Sequence, residues 1–443
     1  MIKEEIPSNI VKFGLEQGAT DVVANLIEYD KTMIRFSNNE VTASKNYSEA
    51  VVRIFLLIEK QRAGSTIPLG SKRMLELGVK RLMSMAKITP PADVYAPLPK
   101  GPFSYDSLLL RSPMIQITPN RLVDFVEEAI SGAHEMGAEK VAGSLTSTKA
   151  RMNLATSGRV GAVQEKTNLE ISVRAFASDV ASGHFVSIAQ NEYDFRPDEA
   201  GRMAGEIAKV SLNPEHGQSG KYTALLGPLV FADLVNQVGV LSSAFLADAG
   251  QSFLIDKIGS EVASEKFTLA DDPTLKGTYG ARAFDDEGVP ARKNIIVEKG
   301  VLKTYLHNST TAKKFKAETT GNAGLIEPSP WNLVVEPGEK TFEQLLAEID
   351  DGIYVTNDWY LRYQNYQTGD FSTIPRDGMF RIKDGRIEKS IRELRISDNM
   401  LRIFRNIREL SRSRFWIRWW EVEVPTFTPY AVIEGLNFTK SMM

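Results

Sequence analysis

The sequence is most informative about metal and thiol chemistry through what it lacks. Its 443 residues include no cysteine and only four histidines. Disulfides, thiolate nucleophiles and cysteine-ligated zinc are therefore excluded for this chain, and a metal bound by it alone would need histidine and carboxylate ligands. His134-Glu135 begins like a zinc-protease helix, but Ala138 and Glu139 stand where a second histidine would follow.

Charge and hydropathy show no strong bias either. With 53 basic and 56 acidic residues the net charge is -3, so no broad field favours nucleic acid or an anionic membrane as a partner. No apolar run approaches the length of a bilayer span. The first residues carry no secretory signal pattern, and we therefore expect a cytoplasmic protein.

Length and periodicity predict an α+β protein. A chain of 443 residues with 42% hydrophobic content predicts two or three domains. We expect an N-terminal αβ region of antiparallel sheets and packed helices, followed by a β-rich C-terminal domain. A proline-rich stretch and a loop-like stretch, 90–102 and 212–220, give the boundaries. The predicted units are an N-terminal αβ subdomain at 1–90, a second αβ subdomain at 103–212, and the C-terminal domain at 220–443.

Apolar spacing gives the elements within these units. The predicted helices begin at Ile6 and cover 71–85, 120–136, 198–210, 229–246 and 400–418. The first subdomain should hold four short strands, with turns at 30–31, at 38–39 and near Tyr47. Alternation between 140 and 188 predicts a second sheet. The helix at 400–418 carries six arginines, which fits either a helix packed on its own domain or a basic surface for nucleic acid or membrane.

An acidic segment in the C-terminal half predicts a turn. Asp285-Asp286-Glu287-Gly288 precedes Val289-Pro290, and Asp and Gly are residues that reverse a chain at low cost. A hairpin should follow over 293–306, with Lys299-Gly300 at its turn. The alternative is a metal or general-base cluster of Asp285, Asp286 and Glu287 with a remote histidine. Charged turns outnumber such clusters, and we therefore favour the turn.

Three blocks together resemble the C-terminal core of the TldD/PmbA family, which is also named for modulation of DNA gyrase. They are 285–290, 297–302 and 319–323. The resemblance implies a relationship to metallopeptidases and proteolysis, because characterised members form a zinc metalloprotease. It also identifies the family-motif residues of this chain, which are Asp285, Asp286, Glu287, Gly288, Gly321 and Asn322.

The resemblance further implies that this chain has lost the zinc motif. In the active TldD-type subunit the helix matching 229–246 carries His-Glu-x-x-x-His, and a cysteine ligand follows near the C-terminus. Here Asn236 and Gln237 stand at the first His and the Glu, with Leu241 near the second His. An amide is a poor zinc ligand, and glutamine cannot act as a general base at neutral pH. We therefore expect no catalytic residue and no cofactor in this chain.

A PmbA/TldE-type role is what the resemblance implies in place of catalysis. Such a subunit forms a heterodimer with a zinc-bearing TldD-like subunit and helps to enclose unfolded peptide; alone, we expect a homodimer. A β-rich domain can bind extended peptide by strand addition, and the aromatic run 415–420 is expected at an interface or edge strand. Two alternatives stay open: an autonomous metal-dependent hydrolase and a gyrase-associated binding protein.

Overall fold

The computed structural model describes residues 3–111 and 117–441, so each of the three predicted units includes a few residues outside the described part. The helices are α1 (Ile6–Glu16), α2 (Lys72–Ile88), α3 (Ser107–Leu110), α4 (Pro119–Glu135), α5 (Pro197–Val210), α6 (Pro228–Leu241), α7 (Ala244–Asp248), α8 (Ser309–Phe315), α9 (Phe342–Ala347) and α10 (Met400–Arg405). None of these is long and apolar enough to span a bilayer.

The strands of the N-terminal half are β1 (Asp21–Ser37), β2 (Glu40–Ile58), β3 (Gln61–Pro68), β4 (Lys140–Thr156), β5 (Val160–Ser178) and β6 (Ala181–Ala189). Those of the C-terminal half are β7 (Glu215–His216), β8 (Gly220–Leu226), β9 (Leu269–Asp271), β10 (Asn294–Glu298), β11 (Val301–Leu302), β12 (Leu333–Val335), β13 (Asp351–Asn365), β14 (Asp370–Lys383), β15 (Arg386–Arg392), β16 (Leu394–Asn399), β17 (Ile407–Ile417) and β18 (Thr426–Lys440). Helices and largely antiparallel sheets confirm the α+β class.

The N-terminal half is built on one sheet rather than two. Its six strands are antiparallel, in the order β3-β2-β1-β4-β5-β6, and β1 pairs with β4 from Val23↔Thr156 to Phe36↔Gly143. The predicted second sheet is therefore wrong. Alternation specifies which face a residue occupies, but it does not specify the neighbouring strand. The sheet consequently joins residues of both predicted N-terminal subdomains.

Two of the predicted turns in this sheet are also wrong. Asp30 and Lys31 lie in the middle of β1, where they pair with Ser48 and Tyr47 of β2. Polar residues are accommodated there because the first half of β2 is exposed to solvent. The turn at 38–39 is confirmed, and both asparagines have positive φ, at 52° and 69°, as tight hairpin turns require.

The two faces of this sheet have different partners. Apolar residues at even positions of β1, such as Leu26 and Phe36, pack with α1, α2, α4 and α5, which confirms the predicted helices of this half. On the opposite face, Val23 packs against Phe284 of the C-terminal half. This opposite face is the one that positions the candidate site.

The C-terminal half is a twelve-stranded sheet around α6. Twelve residues of α6 are buried, and its apolar side chains form the centre of the largest core. The predicted helix over 229–246 ends at Leu241 and resumes as α7, with two serines between. The predicted hairpin is confirmed in β10 and β11, which pair at Val297↔Leu302.

The predicted arginine-rich helix is wrong beyond its first turns. Only Met400–Arg405 is helical, and the rest forms β17, which pairs with β18. Its arginines are engaged locally: Arg408 pairs with Glu434 at 2.6 Å, and the Arg414 guanidinium donates to the Val335 carbonyl at 2.9 Å. Apolar residues that recur at helical spacing in this segment also fit the inward face of a bulged strand. A basic helical surface is therefore not present here.

Candidate functional site

The acidic segment forms the predicted turn, and Asp285 organises it. One carboxylate oxygen accepts the N–H groups of Glu287 and Val289, each at 2.9 Å, and the other accepts that of Ala323 at 3.0 Å. Gly288 has φ of +81°, a conformation that glycine adopts without strain. Burial, followed by the charge of Glu287, raises the pKa of Asp285 well above its usual range.

The three acidic side chains of this turn have three separate sets of partners. Asp286 pairs with Arg282 at 2.5 Å and with Arg53 at 3.3 Å. The Glu287 carboxylate accepts the N–H and hydroxyl of Ser309, at 3.0 and 2.5 Å. Among residues 3–111 and 117–441, no group of three His, Asp or Glu side chains is arranged to hold a metal. The geometry therefore favours a structural role for this segment.

Gly321 and Asn322 are brought against the same turn. The Asp286 N–H donates to the Ala323 carbonyl at 2.9 Å, and a Cβ on Gly321 would lie 2.7 Å from the Pro290 carbonyl oxygen. The Asn322 amide donates to Asp271 at 2.6 Å. Residues 285–290 and 321–323 thus form one hydrogen-bonded unit, which we call the motif core.

The residues at the degenerate zinc-motif positions have structural contacts. The buried Asn236 amide donates to the Val424 carbonyl at 2.8 Å and to the Thr426 hydroxyl at 2.9 Å, and so ties α6 to the segment entering β18. Gln237 donates to Asp233 at 3.3 Å. Leu241 is buried in the core. Their correspondence to zinc-motif positions stays a prediction.

Sequence reasoning missed a buried carboxylate pair behind α6. Asp233 and Asp358 are both fully buried. Burial is the main cause that raises the pKa of Asp233 to about 8. The pKa of Asp358 is raised by burial and, second, by the charge of Asp233. Burial thus favours the protonated form of both carboxyl groups. An ionisable residue within the apolar helix α6 was the only available signal for this pair.

His184 lies in a polar network that resembles a serine nucleophile with its histidine base. The hydrogen bond between the two side chains, however, runs in the opposite direction. Its Nε2 is 2.8 Å from the Ser172 hydroxyl, and its Nδ1 is 3.1 Å from the Asn357 amide nitrogen. The same amide donates to Asp377 at 3.1 Å, so its NH2 group must face Nδ1. Nε2 therefore carries the proton and donates to Ser172. Burial lowers the pKa of His184 to about 4.

The remaining histidines are separate from this network. His134 is hydrogen-bonded to the Ala138 carbonyl, and His216 pairs with Glu393. His307, which precedes α8, contacts the Thr311 hydroxyl of that helix. Burial lowers the pKa of His307 to about 4. None of the four histidines contacts another in the part of the chain described here. Among the described residues, no hydrogen bond or ion pair joins a histidine side chain to Asp285, Asp286 or Glu287.

An open groove lined by aromatic residues lies between the two halves. Its volume is about 680 Å³, and we call it the tryptophan groove. One wall is the sheet face opposite the helices, and the other is a corner of the C-terminal half. The lining residues used below are Arg35, Arg174, His184, Trp359, Trp419 and Trp420.

Ion pairs hold the two walls of the tryptophan groove together. Arg174 of the sheet pairs with Asp377 of β14 at 2.8 Å, and Arg418 pairs with Glu170 of the sheet. Trp420 is 61% exposed. The sequence pattern indicated the aromatic run that contains Trp420, but it did not indicate that distant strands assemble a groove beside it.

Comparison with known proteins identifies the relatives of this chain. Residues 219–440, half of the chain, match the family model described as the PmbA/TldA metallopeptidase C-terminal domain. A metalloprotease of Methanocaldococcus jannaschii is 37% identical over 163 residues. That match covers 35% of this chain and 35% of the relative, so it spans about a third of the relative's length.

Solved structures extend the likeness to the whole fold. A Thermotoga maritima protein named for modulation of a DNA gyrase superposes with a TM-score of 0.85 at 23% identity, covering 98% of this chain and 100% of its own. TldE from Thermococcus kodakarensis superposes with a TM-score of 0.83 at 20% identity, covering 98% and 99%. At these identities the likeness is one of fold.

Proposed function

The chain belongs to the PmbA/TldD family, and from this premise we propose that it is a non-catalytic, PmbA/TldE-type subunit of a metalloprotease. In this proposal the zinc lies in a TldD-like partner. The present chain completes the enclosure in which unfolded peptide is bound and cleaved. The fold similarity to TldE supports this role.

The proposal rests on the hydrogen bonds made by two side chains of α6. Asn236 has its amide committed to Val424 and Thr426, and Gln237 donates to Asp233. Neither side chain is a suitable ligand or general base. With no cysteine in the sequence, a thiolate ligand is also lacking. If α6 corresponds to the zinc-binding helix of the active subunit, as we propose, packing and hydrogen bonding replace metal binding in this chain.

An open strand edge supports binding of an extended chain. β3 pairs only with residues 51–58 of β2, and β1 occupies the other side of β2. The stretch 40–50 therefore has no strand on its outer side among the described residues. Such an edge presents backbone donors and acceptors that bind without requiring a particular side-chain sequence. We expected peptide addition in the C-terminal half, whereas this edge lies in the N-terminal sheet.

Pairing with a TldD-like chain tests the proposal. We expect this chain to copurify with a coexpressed chain that carries His-Glu-x-x-x-His, and to form a homodimer when expressed alone. Only the pair should hydrolyse an unfolded peptide. A stable monomer at micromolar concentration by light scattering, with no copurification, would contradict the proposal. A partner variant lacking the first histidine is the control, and it should pair without hydrolysing.

A further inference from the structure

We propose that the tryptophan groove binds the carboxyl terminus of an extended peptide that ends in an aromatic or large apolar residue. The inference rests on the proposed function, because it names the peptide class that this subunit would hold. It is carried by the charges, the exposed aromatic rings and the space of the groove.

Arg35, which lines the groove, and Arg376, which lies outside the lining next to Trp359, form no ion pair in the described structure. Arg376 stacks on the Trp359 ring with its guanidinium carbon 4.3 Å from the centroid. Both arginines are exposed. Arg174, by contrast, is neutralised by Asp377. Arg35 therefore gives the groove one uncompensated positive charge, and a guanidinium binds a carboxylate through two parallel hydrogen bonds.

The aromatic rings supply the apolar half of the site. Trp420 is 61% exposed and meets Trp359 edge-on, with ring centroids 5.5 Å apart. Large exposed aromatic rings beside a cavity are typical of binding surfaces. The indole nitrogens of Trp359 and Trp419 are buried without hydrogen-bond partners in the described structure. Such donors are costly to stability, so these side chains contribute to the groove through their rings and not through their indole N–H groups.

Size and charge distribution favour a peptide terminus over a nucleic acid. A volume of about 680 Å³ lies within the range of about 300–1,000 Å³ that is common for ligand pockets. Glu170 lies in the groove and Asp377 beside it. Both carboxylates are already paired, Asp377 with Arg174 and Glu170 with Arg418. Among the described lining residues Arg35 is then the cation without an ion pair, and a single free cation suits one carboxylate better than a polyphosphate backbone.

Binding to the isolated chain tests the inference. The probe is a short unstructured peptide ending in phenylalanine with a free carboxylate, compared by calorimetry with the same peptide amidated. We expect the amidated form to bind at least about tenfold more weakly, as do Arg35→Ala and Trp420→Ala with the free acid. Arg35→Lys should restore part of the affinity. Trp416→Phe is the matched control, because Trp416 stacks on Phe427 outside the groove.

Several outcomes would overturn the inference. They are equal binding of the acid and amide forms, loss of binding in Trp416→Phe, no binding at millimolar peptide, and tighter, salt-dependent binding of a single-stranded oligonucleotide. Unfolding curves of Arg35→Ala and Trp420→Ala should match the unmodified chain. If the TldD-like chain pairs but the groove binds no peptide, this inference fails alone. If peptide binds but no partner pairs, the proposed function fails alone.

Discussion

The motif core and the tryptophan groove differ in the burial and pairing of their charged side chains. In the motif core each carboxylate is buried and has a partner: Asp285 accepts three backbone N–H groups, Asp286 pairs with arginines, and Glu287 binds Ser309. In the groove, Arg35 is exposed without an ion pair among the described residues, and Trp420 is largely open to solvent. The segment from which we predicted the family thus makes its hydrogen bonds within the fold, whereas the exposed groups of the groove are dispersed over several strands.

The largest expected effect is a loss of stability from Gly288→Val in the motif core. The substitution strains a φ of +81°, and its Cβ would lie 2.5 Å from Val160. We expect a loss of about 4 kcal/mol in the free energy of unfolding, measured in urea. Gly277→Val is the control, since Gly277 has φ of +75° with open space around it. It should lose only about 1–2 kcal/mol, and equal losses at both sites would contradict the packing account.

The second effect is acid destabilisation through His184 beside the groove. Burial lowers its pKa from 6.5 to about 4, so the unfolded chain binds more protons between these values. Its contribution to stability is therefore complete above pH 6.5 and falls as the pH drops towards 4, by about 3 kcal/mol. His184→Gln should flatten this part of the stability profile, and the exposed His216→Gln should not. An unchanged profile in His184→Gln would show that His184 is not the group responsible.

The smallest expected effect is the change in stability when Trp420 of the groove is replaced. Trp420 is mostly exposed, so Trp420→Ala should change the free energy of unfolding by no more than about 0.5 kcal/mol, as measured in urea beside Gly288→Val. A loss comparable to that of Gly288→Val would mean that the groove, like the motif core, is primarily structural.

Local chemistry made part of the fold predictable. Apolar spacing gave the helices from Ile6 to Val210, and Asp-Asp-Glu-Gly gave the turn, because each depends on neighbours in sequence. Strand pairing does not depend on neighbours in sequence, and nothing near Val23 indicates that β1 pairs with β4. The segment 407–417 was assigned to the wrong element because its apolar spacing fits both a helix and a bulged strand.

The candidate site was harder to predict for the same reason. The motif core contains the family residues, from Asp285 to Asn322, which were identified from contiguous blocks. The groove combines β1, β5 and β6 with residues near 359 and 420, and no local pattern links them. Asp233 and Asp358 likewise meet only through packing of α6 against β13. Their raised pKa values follow from burial, which sequence does not reveal.

The central claim is that this chain contributes binding and enclosure while a partner contributes zinc chemistry. Zinc content of the purified chain, measured by mass spectrometry together with hydrolysis of an unfolded peptide, tests it most directly. We predict a zinc content well below about one atom per chain and no hydrolysis by the chain alone. Hydrolysis should appear when the TldD-like chain is added. About one zinc per chain, removed by chelation together with hydrolytic activity, would contradict the account.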